Sequence, residues 1–265
     1  MSEMSDASSC PAPEGLQIRV SGDARLPTLI YLPGLHGDWT LVGDFRRAIA
    51  GRVRFVEFTY PRTITWTLDD YAAAIEKALA QHGIVQGWLL GESYGSQILW
   101  AMAARKQFPV QGLILAGGFV QHPWRWGVRL VQSVFGRIPG RLLIWMLFSY
   151  AKIARIRYRH SPETRVHIDE FIVRRTEPDR RAALHRLEQI AGNDPRKIAV
   201  RSPLPLYYLS GWLDPIVPWP LVRKWLRQNC PALRECKIIR TADHNVLGTA
   251  PKSAAEEILR WVTQL

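Results

Sequence analysis

From residue 16 onward, short runs of β-branched and aromatic residues alternate with longer segments whose apolar positions recur every three or four residues. The short runs predict strands over 16–20, 28–32, 53–58, 87–90, 112–116, 206–209 and 237–240. The longer segments predict helices over 39–50, 69–82, 94–107, 220–228 and 251–263. The second of these helices opens with Asp69 and Asp70, where the macrodipole favours acids, and Gly83 follows it in the usual terminating role. Alternation of this kind predicts an α/β fold: a mainly parallel central sheet with helices on both faces.

Between Phe119 and Val200 the alternation stops. That stretch is poor in strand signals and holds helical patterns over 128–134, 142–154, 164–174 and 179–191. It is expected to be a helical cap inserted between two strands. The expected organisation is therefore a flexible tail over 1–14, a core formed by 15–118 and 201–265, and a helical cap over 119–200.

In an open parallel sheet, ligands bind beyond the carboxyl ends of the strands, so the residues just past each strand matter most. After the strand at 87–90 comes Gly91-Glu92-Ser93-Tyr94-Gly95-Ser96, followed at once by a helix. G-x-S-x-G between strand and helix marks a turn sharp enough to lift a serine clear of the sheet. Alone it is a weak signal, because glycine and serine are common. Two further segments strengthen it. Leu32-Pro33-Gly34-Leu35-His36-Gly37-Asp38 directly follows the strand at 28–32 and suits backbone N–H groups turned toward a developing oxyanion. On its own this loop reads equally well as a plain turn. Late in the chain, Asp214 falls just beyond one strand and His244 just beyond the next, so the order is Ser93, Asp214, His244.

With the Pro33-Gly34 loop, the Ser93 turn, the Asp214-Pro215-Ile216-Val217-Pro218 turn and the Asp243-His244 turn in this order, the chain resembles the α/β-hydrolase fold family. It is similar to the cap-bearing serine esterases and lipases of that family. The resemblance runs from Leu16 to Leu265, and only the cap matches no subfamily. It implies Ser93 as nucleophile, His244 as base and Asp214 as the acid that orients the imidazole. It also implies an oxyanion hole made by the backbone N–H groups of Leu35 and Tyr94. Gly34, His36 and Trp212 are the expected loop and pocket residues. The implied reaction is hydrolysis of carboxylic esters through an acyl-enzyme, with no metal and no organic cofactor. Thioester hydrolysis and acyl transfer share that chemistry, and a ligand-binding protein that kept the fold without turnover is the rival from another class.

Other residues compete for these roles. His82 ends a surface helix, while His122, His160, His167 and His185 lie in the inserted segment and read as solvated or packed. Asp243 is adjacent to His244, and neighbouring side chains diverge. Glu92 reads as a polar residue at a variable position of the serine turn. The segment Ala116-Gly117-Gly118-Phe119 carries no carboxylate, which favours Asp214 as the acid.

Composition adds one unusual number. The 265 residues carry a formal net charge of +12. Residues 119–200 hold 16 basic and 7 acidic side chains, a net of +9, so the basicity is local. In the same segment, Leu142 to Phe148 is apolar around the whole helix and is flanked by Arg137, Arg141, Lys152, Arg155 and Arg157. The plainer reading is a helix packed over the mouth of the site. The other is peripheral membrane contact near anionic lipid, with Trp124, Trp126 and Trp145 as anchors. Either places an apolar acyl pocket beneath. The expected partner is a small ester or acyl compound, anionic or lipid-like, and not nucleic acid, since no nucleic-acid motif accompanies the arginines.

Cys10, Cys230 and Cys236 are odd in number and lack zinc-type spacing, as for reduced thiols in the cytoplasm. Met1 to Pro13 has neither a basic nor an apolar signal region, and the longest uncharged apolar run, from Leu142 to Ala151, is ten residues. The expectation is a cytoplasmic protein.

Overall fold

A computed structural model describes residues 15–137 and 176–263. Seven strands form one sheet: β1 (Gln17–Ser21), β2 (Thr28–Leu32), β3 (Arg54–Thr59), β4 (Gly87–Glu92), β5 (Val110–Ala116), β6 (Leu206–Gly211) and β7 (Leu233–Ile239). Their order across the sheet is β1-β3-β2-β4-β5-β6-β7. Only β1 runs antiparallel to its neighbour; every other pair is parallel. All six residues of the central β4 are buried, which is why this strand reads as a continuous apolar run rather than an alternation.

The described helices are α1 (Gly43–Ile49), α2 (Leu68–Gln81), α3 (Gly95–Arg105), α4 (Arg125–Arg137), α5 (Glu177–Gly192), α6 (Arg196–Arg201), α7 (Trp219–Asn229), α8 (Val246–Thr249) and α9 (Pro251–Thr263). The side chains of β2 sort them into two layers. Ile30 and Leu32 face a core shared with Tyr71, Ile75 and Leu79 of α2, Ile98 and Leu99 of α3, and Leu226 of α7. Leu29 and Tyr31 face the opposite core, with Phe45 and Ile49 of α1 and Ile258 and Trp261 of α9. The period of two along a strand thus puts one apolar set against each helical layer.

The segment expected as a cap is described only at its ends, 119–137 and 176–200. There α4 and α5 pack together, and the Arg125 Nε and Nη2 donate to the Ala191 carbonyl at 3.0 and 2.7 Å. The tail over 1–14, the expected helices over 142–154 and 164–174, and Cys10, Trp145, His160 and His167 lie outside the described residues. Among the described residues no helix is long and apolar enough to cross a membrane. Cys230 and Cys236 are both free thiols.

Candidate active site

From β2 the chain passes to β3 on one side, while β4 lies on the other. The crevice at their carboxyl ends is therefore the switch point of the sheet, where an open α/β fold offers room for a ligand. The loop after β2 and the turn after β4 both open there. A side chain at Gly34 would lie 3.6 Å from the Ser93 Cβ, so the two segments touch.

Ser93 itself sits at φ 48°, in the left-handed region that a residue with a side chain rarely adopts. Among the described residues only Lys106 is another non-glycine at positive φ. The Ser93 N–H donates to the Ala116 carbonyl at 3.1 Å, tying the turn to the end of β5. Gly95 is required because a Cβ there would run into the Leu32 carbonyl oxygen. These constraints let the chain reverse within the turn and start α3 directly.

Two later loops bring the partners. Asp214, in the turn after β6, has a fully buried side chain. Its Oδ1 accepts from the backbone N–H of Ile216 at 2.8 Å and of Val217 at 2.9 Å. Its Oδ2 lies 2.8 Å from His244 Nδ1, and His244 Nε2 lies 2.8 Å from the Ser93 Oγ. A carboxylate only accepts, so it holds the imidazole proton on Nδ1 and leaves the Nε2 lone pair facing the serine hydroxyl. An hydroxyl so placed can lose its proton as it attacks an electrophile. No hydrogen bond engages the backbone N–H of Leu35 or Tyr94 among the described residues, which leaves both donors free for an oxyanion.

The other expected residues lie less centrally. His36 is exposed and borders a small cavity of about 60 Å³ together with Tyr60, Arg62, Asp179 and Arg186. Trp212 is exposed, and its carbonyl accepts from the Trp219 indole at 3.2 Å.

Several residues at the site escape sequence reasoning. Arg186 of α5 is buried and donates from Nη1 to the Leu35 carbonyl at 2.8 Å and from Nη2 to the Pro61 carbonyl at 3.2 Å. A signal existed: Ala182, Arg186 and Ile190 share the buried stripe of α5 at a spacing of four, so the arginine stands on an apolar face. Gln189 joins the same contact, accepting from the Tyr94 hydroxyl at 2.5 Å and donating to the Trp66 carbonyl at 2.6 Å. Glu92, read as a polar residue at a variable position of the serine turn, is buried and accepts from the Tyr31 hydroxyl at 2.5 Å. Burial pushes its carboxyl up to about 7, against the opposing pull of the Tyr31 hydrogen bond and the nearby His244. His122 is packed, with its ring edge-on to Phe119 at 5.0 Å, and burial lowers its pKa. Among the described residues no group of three or more metal-binding side chains converges.

A family profile described as alpha/beta hydrolase fold matches residues 47–251. No curated protein sequence matches the chain. Among solved structures, the chain is similar to a hydrolase from Pseudomonas aeruginosa PA01, at 13% identity over 94% of each chain and a TM-score of 0.76. It is also similar to an esterase from Exiguobacterium antarcticum, at 14% identity over 94% of this chain and 96% of the other, with a TM-score of 0.76. The enol-lactonase from Burkholderia xenovorans LB400 aligns at 17% identity over 94% and 96%, with a TM-score of 0.74. At such identities the likeness speaks to the fold.

Proposed function

The chain belongs to the α/β-hydrolase fold family, and from that premise we propose that it is a serine hydrolase cleaving carboxylic esters through an acyl-enzyme. The observation that carries this reading is the line of hydrogen bonds from Asp214 through His244 to Ser93. In this mechanism the Ser93 Oγ attacks the acyl carbon while His244 Nε2 takes its proton. The tetrahedral oxyanion accepts from the Leu35 and Tyr94 N–H groups, each such donor lowering the barrier by about 3 kcal/mol. The carbon–oxygen bond to the leaving group breaks, and His244 returns the proton to the departing alkoxide. Water then enters and attacks the acyl carbon as His244 Nε2 takes its proton, the acyl–Oγ bond breaks to release a carboxylic acid, and His244 returns that proton to the Ser93 Oγ. Asp214 remains ionised throughout and stabilises the imidazolium.

The test pairs a probe with a substrate panel. A fluorophosphonate should label the wild-type protein and not Ser93→Ala. p-Nitrophenyl esters of two to sixteen carbons, run beside acyl-CoA thioesters, identify the leaving group and chain length. Labelling that survives Ser93→Ala would sink the assigned nucleophile. A wild type that neither labels nor turns over any member of the panel would instead favour a ligand-binding protein.

A further inference from the structure

One cavity has no wall contributed by Ser93. It has a volume of about 500 Å³ and lies among the loop at 120–123, the first turns of α4, the start of α6 and one face of α7. That volume falls within the range of small-molecule sites. The loop follows β5, and α7 follows the Asp214 turn after β6, so the cavity opens on the same edge of the sheet as Ser93 and His244. His122 is shared between the two. It lines the cavity, accepts from the Trp124 N–H on Nδ1 at 3.2 Å, and hydrogen-bonds the backbone of Ile216, two residues beyond Asp214.

The chemistry of the lining is specific. Arg125, Arg129 and Arg196 contribute guanidinium groups, while Trp126, Leu221 and Trp225 contribute apolar wall. No carboxylate lines the cavity among the described residues. Asp194, outside it, pairs with Arg196 at 2.6 Å and offsets that charge. Arg125 spends two donors on the neutral Ala191 carbonyl and pairs with no carboxylate among the described residues. Arg129 is exposed and makes no hydrogen bond or ion pair among the described residues. A planar fork of N–H donors beside indole rings matches a carboxylate or phosphate carried on a hydrocarbon chain.

We infer that this cavity binds the anionic group of a small amphiphile, with Arg129 as its principal ligand. The substrate class is then an ester that carries a negative charge away from its scissile bond. The turnover part of this inference rests on the role proposed for Ser93; the binding part does not.

The test separates them. Calorimetric titration with octyl phosphate, and with uncharged octyl glucoside as its counterpart, measures binding without chemistry. Octyl phosphate should bind saturably, weaken with added salt, and bind at least about tenfold more weakly to Arg129→Gln, as expected for loss of a charged hydrogen bond. Arg52→Gln, an exposed site at the opposite edge of the sheet, should leave binding unchanged. In parallel, kcat/KM for mono-p-nitrophenyl succinate should fall in Arg129→Gln by a similar factor, while that for p-nitrophenyl butyrate should not change. Equal binding of octyl phosphate by wild type and Arg129→Gln, or equal affinity for octyl glucoside, would overturn the site even if esters are hydrolysed. Specific binding with no ester cleaved would keep the site and remove the role of Ser93.

Discussion

Arg186 Nη1 donates to the carbonyl oxygen of Leu35 across 2.8 Å, joining α5 to the loop that supplies one oxyanion donor. The guanidinium also lies over the Tyr60 ring, 5.4 Å from its centroid, and its second Nη holds the Pro61 carbonyl. One side chain therefore fixes the loop after β2 to the chain after β3 and to the helix above both.

Truncating it should separate positioning from binding. Arg186→Ala leaves two carbonyls without a donor and should cost about 3 kcal/mol of unfolding free energy. Arg186→Lys keeps the charge but not the fork, and should fold while losing roughly tenfold in kcat with KM within twofold, since a misplaced oxyanion donor acts in the transition state. Urea unfolding and steady-state kinetics on one ester give both numbers. A lysine variant with wild-type kcat would confine Arg186 to a structural role.

Asp214→Asn should leave the far-ultraviolet circular dichroism unchanged and lower kcat by about 10⁴-fold. The two backbone donors of Ile216 and Val217 hold the Oδ1 position, so the amide nitrogen would face His244 Nδ1. An N–H there can only donate, which forces the imidazole proton onto Nε2. The base then has no lone pair for Ser93. Normal turnover in this variant would refute the assigned acid.

Strain at Ser93 predicts a difference between two inactive variants. Ser93→Ala keeps a Cβ at φ 48°, whereas Ser93→Gly removes it. The glycine variant should be more stable in urea by about 1 kcal/mol, the usual penalty for a side chain in the left-handed region. Its greater unfolded-state entropy works against that gain. Equal midpoints would mean the turn stores no net strain.

The parts of the fold that were legible in the sequence are those whose burial is set by local pattern. The strand at 28–32 and the helix at 251–263 match the observed β2 and α9 to the residue, because a wholly buried strand and an amphipathic helix each carry their own period. Edge strand β7 is different. The pattern predicts 237–240, but pairing with β6 extends the strand from Leu233 to Ile239. Arg234, Glu235 and Lys237 interrupt the apolar signal there, as charges on an exposed sheet edge commonly do. The short helices α6 and α8 hold too few residues to show a period. At the site, Ser93, Asp214 and His244 could be picked out because each follows a strand. Glu92 could not, and Arg186 showed only as a basic residue on the apolar face of α5, since what ties them to the site is burial beside residues 61 and 151 positions away in the chain.

Glu92 supplies a pH dependence whose sign follows from its surroundings. Burial raises its carboxyl from 4.5 to about 7, so between those values the native state binds a proton that the unfolded chain releases. Its contribution to stability is then fully present below about 4.5 and is lost as pH climbs through 7. The span corresponds to roughly 3 kcal/mol at one pKa unit per 1.36 kcal/mol. Glu92→Gln keeps the shape and removes the titration, so comparing it with wild type cancels every other ionisable group. The variant should gain on wild type as pH rises from 4 to 8, with most of the change between 5 and 7. Thermal or urea unfolding of both proteins across that range checks it. A stability difference that stays constant with pH would mean that Glu92 is already ionised in the folded protein, with Tyr31 and His244 outweighing its burial.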